Sequence, residues 1–355
     1  MLPNKDSTPV KERSKVMRRF IGVDLHKKMF TVCFYDAKSK KQRSKSYELK
    51  KIESFRKELR DDDIVGVEMT GNTRFFVKKI IDKVKEIKVI NPTKFDIISK
   101  SMKKTDKNDA IAIAEFLSLG NVPDVKIKED LAERIASLAN TRYKFVQMRT
   151  AMKNKVHGLL NSYGIVLNRE ELSSKKGLIN VLKYKIAPIA AKELEIIVKQ
   201  IENLNDGIKE LDKELEEKGK ELDGFESITS IKGIGSKSGA ILLSIIDDVN
   251  RFENEKKLAS YFGIVPRVHQ SNDKEWQGRI TKHGSRLGRT TLVQCTWVAI
   301  KYSKHLRVFY ERLKAKKGSG KAIIATAKKL LGIIYNTLKN KWVLEDFPNY
   351  VKKTI

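Results

Sequence analysis

Four acidic residues in the first third of the chain are candidate ligands of a catalytic metal ion. Asp24 follows the apolar run RFIGV, Glu68 closes the run IVGVE, and Asp106 and Asp109 are three residues apart. Converging carboxylates repel one another unless a cation neutralises them, and oxygen ligands of this kind suit Mg²⁺. Two such ions can activate an attacking oxygen and stabilise a leaving one in phosphoryl transfer. Taken singly, each acid has an ordinary alternative, either a solvated strand end or a helix cap at Asp106.

A serine in the last third of the chain is the candidate nucleophile. Ser271 lies between Gln270 and Asn272 in a stretch without helical or strand periodicity, so we predict a loop over residues 270–277. A serine hydroxyl attacks poorly at neutral pH unless a base, a metal or nearby cations stabilise the alkoxide. Most serines in such loops are turn residues, so the spacing alone leaves both interpretations open.

Cationic, glycine and aromatic residues around this serine are candidates for contact with a nucleic acid. The cations after the loop could line a concave surface that faces phosphates, and the loop tryptophan could stack on a base. Upstream, a Gly-Ile-Gly turn in ITSIKGIGSKSGAILLSI resembles a helix-hairpin-helix, although many helical hairpins turn this way without a ligand. The candidate nucleic-acid-binding residues are Gly233, Gly235, Lys237, Arg267, Trp276, Arg279, Lys282, Arg286 and Arg289.

The elements that must position the carboxylates form an α/β pattern over residues 19–127. Two strand-like runs come first, followed by a loosely alternating segment that could be a third strand, and together they indicate an antiparallel meander. Two further strands then alternate with helices, which predicts a mixed sheet. The predicted strands are 19–25, 30–35, 43–49, 64–68 and 87–90, and the predicted helices are 51–60 and 73–84. Neighbouring strands would bring Asp24 and Glu68 together, and one helix turn would present Asp106 and Asp109 on the same face.

The rest of the chain is predicted to be all-α. Residues 128–224 carry apolar side chains at helical intervals, with an unbroken heptad from Leu194 to Leu215 that is typical of a coiled coil, either a hairpin or a pair of subunits. Basic residues on the first helix form either a solvated face or a nucleic-acid track. They are Arg142, Lys144, Arg149, Lys153 and Lys155. Residues 225–345 are predicted to form a helical C-terminal domain that contains Ser271. A basic tail is predicted at residues 1–18 and a second tail at residues 346–355.

The composition narrows the class of partner. The 355 residues include 73 Lys and Arg against 44 Asp and Glu, a formal net charge of +29. Such an excess favours a polyanion through counterion release, and nucleic acid is the usual one. No apolar run reaches the roughly 18 residues of a spanning helix, so we expect no membrane partner. The two cysteines, Cys33 and Cys295, lie in apolar surroundings and are predicted to be buried free thiols in a reducing cytoplasm.

Seven motifs in one order resemble the DEDD transposases of the insertion-sequence 110 family, relatives of the Piv-type DNA invertases. They are GVDLHK around Asp24, GVEMTGN around Glu68, KKTDKNDA around Asp106 and Asp109, IKGIGSKSGA, YFGIVPR, the Ser271 loop and GRITKHGSRLGR. The resemblance covers nearly the whole chain from residue 19 to about residue 310 and implies a RuvC-like (RNase H-like) first domain whose four acids bind Mg²⁺. It also implies that Ser271 is the catalytic serine, in a Gln-Ser-Gly-like turn where this chain has Asn272 instead of glycine.

The same resemblance implies the partners and the reaction. Family members act on target and donor DNA, are guided by a structured non-coding RNA, and form homo-oligomers (dimers and tetramers) in which the carboxylate domain of one subunit completes the serine site of another. We therefore expect a transposase that cuts and rejoins DNA through a phosphoserine intermediate. Three alternatives stay open: a Piv-like invertase, a RuvC-like metal-dependent nuclease or junction resolvase that uses water, and a non-catalytic nucleic-acid-binding scaffold.

Overall fold

The structure is a computed structural model that describes residues 19–92, 95, 105–271 and 274–354. Its contacts divide the chain into two compact units, one ending at Ile127 and the other beginning at Lys128. The basic tail predicted at 1–18 and Asn272 lie outside the described residues.

A five-stranded mixed sheet forms the centre of the N-terminal unit, with the strand order β3-β2-β1-β4-β5. The first three strands pair antiparallel as a meander, whereas β4 pairs parallel to β1, and β5 pairs parallel to β4. The strands are β1 (Arg19–Leu25), β2 (Met29–Asp36), β3 (Gln42–Glu48), β4 (Ile64–Glu68) and β5 (Glu86–Ile90). The mixed sheet predicted from the sequence is confirmed, and every strand lies within one residue of its predicted bounds.

Helices cover both faces of this sheet. One face buries an aromatic cluster in which Phe30 contacts Phe55 of α1 (Ile52–Arg56) and Phe76 of α2 (Thr73–Ile80), with ring centroids 5.4 and 5.1 Å away. The other face packs Cys33 against α3 (Asp106–Ser118). Helix α2 is shorter than predicted because Ile81–Lys83 form a 3₁₀ turn. Helix α1 is shorter because Lys51 belongs to the 3₁₀ turn Leu49–Lys51 and the helix already ends at Arg56.

Two helices of 32 residues each, α4 (Asp130–Asn161) and α6 (Pro188–Gly219), pack against each other in the second unit. Arg142 pairs with Asp212, Arg149 Nη1 donates to Asn205 Oδ1 at 2.9 Å, and Lys155 Nζ lies 3.0 Å from Glu193 Oε1. Because partner numbers fall along α6 as they rise along α4, the helices run antiparallel. Of the two arrangements left open by the heptad, the chain adopts the hairpin folded on itself.

These contacts also bear on the basic track predicted for α4. Three of its five cations, Arg142, Arg149 and Lys155, bond across the helix pair to α6. Their charges are therefore partly used to hold the hairpin together.

The remaining elements build a mostly helical core with two small β-hairpins. The helices are α5 (Lys175–Val181), α7 (Phe225–Thr229), α8 (Ser236–Ile246), α9 (Glu255–Phe262), α10 (Arg286–Tyr302), α11 (Lys304–Lys317) and α12 (Ser319–Lys339), with 3₁₀ turns at Glu171–Ser173 and Val249–Arg251. The hairpins pair β6 (Pro266–Ser271) with β7 (Lys274–Ile280), and β8 (Trp342–Asp346) with β9 (Val351–Thr354).

Two boundaries predicted near the C-terminus are wrong. The last helix ends at Lys339, and Trp342, within the range predicted to be helical, begins β8. The segment predicted as a tail from residue 346 contains β9, and Phe347 is fully buried in the helical core. Phe347, the pairing of β9 with β8 and the contact of Tyr350 with His305 all hold this segment.

The cysteine prediction is confirmed, since Cys33 and Cys295 are both free and buried. Burial raises the pKa of both thiols, that of Cys295 to about 11. In the ranges that the structure describes, no helix has the length and apolar character to cross a bilayer.

Candidate active site

The register of the sheet places two of the predicted carboxylates side by side. Val23 of β1 pairs with Val67 of β4 in the parallel ladder, so Asp24 and Glu68 are the next residues on adjacent strands. Such strands lie about 4.8 Å apart, and side chains alternate between the faces. Both acids therefore lie at the carboxyl ends of their strands and on the same face of the sheet.

Helix α3 covers that face and carries the other two acids. A Cβ at Gly22, two residues before Asp24, would collide with the backbone of Ala110 and Ala114, so α3 crosses directly over β1. Asp106 and Asp109 belong to the first turn of α3, and Thr105 caps this helix by accepting a hydrogen bond from the Asn108 N–H at 3.2 Å. Asp106 is thus not the cap, which was the ordinary alternative for that residue.

A histidine that the sequence analysis did not single out joins two of these carboxylates. Nε2 of His26 lies 3.3 Å from Oδ2 of Asp24 and 3.3 Å from Oδ1 of Asp106. The Asp24 side chain is only 6% exposed, whereas Asp106 and His26 are 61% and 54% exposed. The pattern Asp24-x-His26 at a strand end, inside GVDLHK, was the available signal.

A tight turn presents this imidazole. The His26 N–H donates to the Met29 carbonyl at 3.0 Å, and Nδ2 of Asn72 donates to the carbonyls of His26 and Lys27 at 3.1 and 3.2 Å. Asn72 directly precedes α2, so a residue near β4 fixes the turn that follows β1.

The carboxylates set the electrostatics of the cluster. Burial lowers the pKa of His26, but the charge of Asp24 and the hydrogen bond and charge of Asp106 outweigh burial, and the pKa is raised overall. Glu68 contributes to the same charge effect, which agrees with its place beside Asp24. Asp109 is half-buried on α3 and is not a member of the group of potential ligands found among the described residues.

The donor set fits one divalent cation. Asp24 and Asp106 each offer a carboxylate oxygen and His26 offers a ring nitrogen, and these three atoms lie within 4.8 Å of one another. Ligands bound at about 2.0–2.2 Å to one ion lie roughly 3–4.4 Å apart, so a single ion could contact all three. The fold thus brings together three of the four predicted acids, Asp24, Glu68 and Asp106. His26 joins them as a further potential ligand.

The candidate serine lies at the tip of a β-hairpin. Ser271 is the last residue of β6 and pairs with Lys274 of β7, while His269 pairs with Trp276. The loop predicted for residues 270–277 is thus wrong where the structure describes it. A two-stranded ribbon need not bury either of its faces, so its sequence need not alternate apolar and polar residues. The side chains of residues 268–277 lie outside the described part of the structure.

Backbone hydrogen bonds and one arginine fix the base of this hairpin. Thr281 N–H donates to Val265 at 2.9 Å, which ties the two chain segments that lead to and from the serine. Nη1 of Arg289 donates to the carbonyls of Phe262, His283 and Gly284 at 3.1–3.2 Å. Arg289 was predicted to contact nucleic acid, yet its guanidinium holds backbone carbonyls.

The other predicted nucleic-acid contacts divide into exposed and engaged residues. Arg267, Arg279, Lys282 and Arg286 are exposed around the base of the serine hairpin. Lys237 pairs with Asp212 at 2.9 Å, the same carboxylate that holds Arg142.

The two glycines of the Gly-Ile-Gly turn differ. Gly233 has φ +109° and a Cβ there would lie 2.7 Å from the Ala299 nitrogen, so this residue packs its backbone onto α10. Gly235 directly precedes α8 and faces open space. Packing alone therefore accounts for the first glycine of the predicted helix-hairpin-helix. Trp276 lies among the residues whose side chains are not described.

Carboxylates gather here at the ends of two adjacent strands and at the N-terminus of α3, with an imidazole beside two of them. In a chain with a formal charge of +29, such a cluster is typical of metal-dependent enzymes that act on nucleic acids. Residues 21–165 match the family model of IS110-type DEDD transposases, and residues 226–311 match that of the IS116/IS110/IS902 transposase family. The chain belongs to the IS110/IS116/IS902 family of transposases, which carries the DEDD domain. It is thus a transposase, a DNA-processing enzyme, and the DEDD domain implies metal-dependent catalysis.

Curated relatives extend over most of the chain. The transposase for insertion sequence element IS1111A of Coxiella burnetii is 25% identical over 337 residues, 92% of each chain. A probable family 20 transposase of Pseudomonas aeruginosa is 24% identical over 77% of this chain and 81% of its own. The pilin gene-inverting protein of Moraxella lacunata is 28% identical over 72% of this chain and 73% of its own. The two groups predicted to be related, transposases and DNA invertases, both occur among the relatives.

Proposed function

We propose that this protein is the transposase of an insertion sequence and a serine recombinase, which cuts and rejoins DNA through a covalent phosphoserine intermediate. Ser271 is the nucleophile, and Asp24, Glu68, Asp106 and Asp109 are the carboxylates of an RNase H-like domain that binds Mg²⁺. The observation that carries the proposal is the β1–β4 register, which puts Asp24 beside Glu68 under the first turn of α3.

The proposed reaction exchanges one phosphoester bond for another at each step, so it needs no external energy source. Oγ of Ser271 forms a bond to phosphorus as its hydroxyl proton is released, and the P–O3′ bond breaks. The 3′ oxygen takes up a proton and leaves as a hydroxyl, so the phosphodiester is exchanged for a phosphoserine. Attack by the 3′-hydroxyl of another strand reverses these steps and restores the serine. When bound, Mg²⁺ supplies positive charge to the phosphate oxygens and favours the ionised serine.

The roles of this chain's residues follow from their positions. The buried Asp24 and the strand-end Glu68 give a fixed pair of negative charges, and α3 adds the exposed Asp106 and the half-buried Asp109. The exposed cations Arg267, Arg279, Lys282 and Arg286 bind the phosphate backbone near the serine hairpin, and Trp276 stacks on a base. Lys237, Gly235 and Gly233 belong to a helical hairpin, and of its two glycines Gly235 is the one that faces open space.

Target choice in this proposal comes from a structured non-coding guide RNA that pairs with target and donor DNA. A protein that delegates sequence choice to base pairing needs contacts with the backbone more than a base-reading helix. The net charge of +29 supports such contacts. The active assembly is a homo-oligomer, a dimer or a tetramer. Its functional segments are the basic tail 1–18, the carboxylate domain 19–127, the coiled-coil region 128–224 and the serine domain that begins at residue 225.

A second candidate function is site-specific DNA inversion. The similarity to the pilin gene-inverting protein, 28% identity over 261 residues, favours it. The chemistry would be the same, and the DNA that flanks the gene would distinguish the two, because a transposase moves its own element whereas an invertase turns a genomic segment.

Strand exchange by serine and carboxylate variants tests the proposal. Wild-type protein, RNA transcribed from the DNA beside its gene, and supercoiled plasmids carrying the element's junction and a target would be incubated with Mg²⁺. We expect recombinant plasmids from the wild type and none from Ser271→Ala or Asp24→Asn, while the Asp24→Asn protein still binds the RNA. Exchange by Ser271→Ala would contradict the proposal, and Mg²⁺-dependent cleavage that does not need the serine would indicate a metal-only nuclease.

A further inference from the structure

The imidazole of His26 is directed at the two carboxylates instead of into solvent, although over half of its surface is exposed. Its Nε2 atom is equidistant, at 3.3 Å, from one oxygen of Asp24 and one oxygen of Asp106. The two acids come from different elements, β1 and α3, so no helical or strand periodicity produces this convergence.

We propose that His26 is a direct ligand of the metal ion that Asp24 and Asp106 hold, so that a nitrogen donor completes this carboxylate site and favours Mn²⁺ or Co²⁺ over Mg²⁺. The proposal rests on the proposed function for the presence of a metal and goes beyond it by naming a ligand and a class of ion. Ligands at adjacent positions of one octahedral ion are about 3 Å apart, which is close to both observed spacings.

The surroundings of His26 hold it ready for this role. The backbone of the turn that carries it is bonded to Met29 and to the Asn72 amide, so this backbone does not have to be ordered when a metal arrives. Asp24 is buried and therefore fixed, whereas Asp106 is exposed at a helix N-terminus. One fixed acid, an imidazole on a fixed backbone and one adjustable acid can close around an ion without moving the sheet.

Donor chemistry decides which ion the site prefers. Mg²⁺ takes oxygen ligands and keeps several waters, so a nitrogen ligand adds little for it. Imidazole suits transition metals, and affinities for a mixed nitrogen and oxygen site rise from Mn²⁺ through Co²⁺. An ion pair between a protonated His26 and the two carboxylates is the ordinary alternative, and it predicts no bond between nitrogen and metal.

Pulsed electron paramagnetic resonance of bound Mn²⁺ separates these accounts. The full-length protein with Mn²⁺ alone should show ¹⁴N modulation from one imidazole, and His26→Ala should remove it while weakening Mn²⁺ binding about tenfold or more. Mg²⁺ binding, measured by competition with Mn²⁺, should change much less. His305→Ala is the matched control, because His305 is an exposed histidine of the other unit and should leave the spectrum unchanged. Asp24→Asn should abolish the binding that produces the signal.

Three results would overturn the proposal: Mn²⁺ held through Asp24 without ¹⁴N modulation, modulation that persists in His26→Ala, or no Mn²⁺ binding at millimolar concentration. The readout is independent of the serine reaction. If strand exchange requires Ser271 and the ¹⁴N signal is absent, only the role of His26 fails. If the signal is present and Ser271→Ala still exchanges strands, the metal site stands and the serine mechanism fails.

Discussion

Gly22 of β1 lies so close to the backbone of Ala110 in α3 that no side chain fits between them. This contact decides where the first turn of α3 lies relative to the end of β1, and hence how near Asp106 comes to Asp24. The carboxylate cluster therefore depends on a glycine that has no chemistry of its own.

Gly22→Ala tests that dependence. Its methyl group would strike backbone atoms, which cannot rotate away, so we expect a loss of about 2 kcal/mol or more in the free energy of unfolding and a loss of metal-induced stabilisation. Urea denaturation with and without Mn²⁺ measures both quantities. Gly71→Ala is the matched control, because a Cβ there meets nothing within 4 Å. Equal behaviour of the two variants would contradict the packing argument.

Glu58 should make the stability of the N-terminal unit depend on pH. Hydrogen bonds from Lys45 and Tyr47, and a further one from Arg43, lower the pKa of Glu58 to about 2. The pKa of Glu58 in the folded state is below its unfolded value of about 4.3. Ionised Glu58 therefore contributes fully to the free energy of unfolding above that pH, and its contribution is lost as the pH falls towards 2.

Glu58→Gln should therefore lower stability by about 1–2 kcal/mol at pH 7 and by much less near pH 3. Urea denaturation at the two pH values measures the difference. Glu53→Gln, on a side chain that is 67% exposed, should change little at either pH. A difference for Glu58→Gln that does not shrink in acid would show that the carboxylate charge is not the cause.

Asp212 should be a stabilising hub of the helical unit. Its carboxylate accepts from both Arg142 of α4 and Lys237 of α8 and is 25% exposed. Asp212→Asn leaves two cations without their charge partner, and we expect a loss of about 1–3 kcal/mol. Chemical denaturation measures it, with Asp206→Asn, an exposed acid on the same helix, as control. If Asp212→Asn leaves the free energy of unfolding unchanged, the ion pair with Lys237 does not stabilise the fold, and Lys237 is again a candidate for nucleic-acid contact.

Arg286 and Arg289 should separate binding from stability, although they are three residues apart on α10. Because Arg286 is exposed, Arg286→Ala should leave the free energy of unfolding unchanged. It should reduce by about one the slope of the logarithm of the DNA-binding constant against the logarithm of the salt concentration. Arg289 donates to three carbonyls, so Arg289→Ala should destabilise the hairpin base and speed proteolysis near residue 271. DNA-binding isotherms at several salt concentrations and limited proteolysis of both variants measure these effects. Destabilisation by Arg286→Ala, or a loss of DNA binding by Arg289→Ala without destabilisation, would contradict the assignment.

Most of the sheet could be predicted from the sequence because four of its five strands are short and apolar, with many β-branched and aromatic residues, as in residues 30–35. The polar β3 gave only a loose alternation. The strand ends then placed Asp24 near Glu68. His26 was missed because its contact with Asp106 depends on how α3 packs over β1, which the residue types do not encode. The serine hairpin was missed because polar residues on both strands leave no periodic signal.

Charged residues were the hardest to assign. Lys237 and Arg289 have the same charge and a similar sequence context to Arg279 and Arg286, yet they bond to Asp212 and to backbone carbonyls. Only the fold shows which cations have protein partners. Phe347 shows the converse for apolar residues, since its full burial draws a segment predicted to be a tail into the core.

Covalent capture of the protein on DNA shows whether Ser271 forms a bond to the DNA backbone. Wild-type protein, its RNA and a labelled junction DNA would be quenched in denaturant with and without Mg²⁺ or Mn²⁺, then digested to locate the attached nucleotide by mass spectrometry. The account predicts a metal-dependent adduct on Ser271 that leaves a free 3′-hydroxyl and that is absent from Ser271→Ala and Asp24→Asn. Strand cleavage without an adduct, or an adduct on another residue, would contradict it.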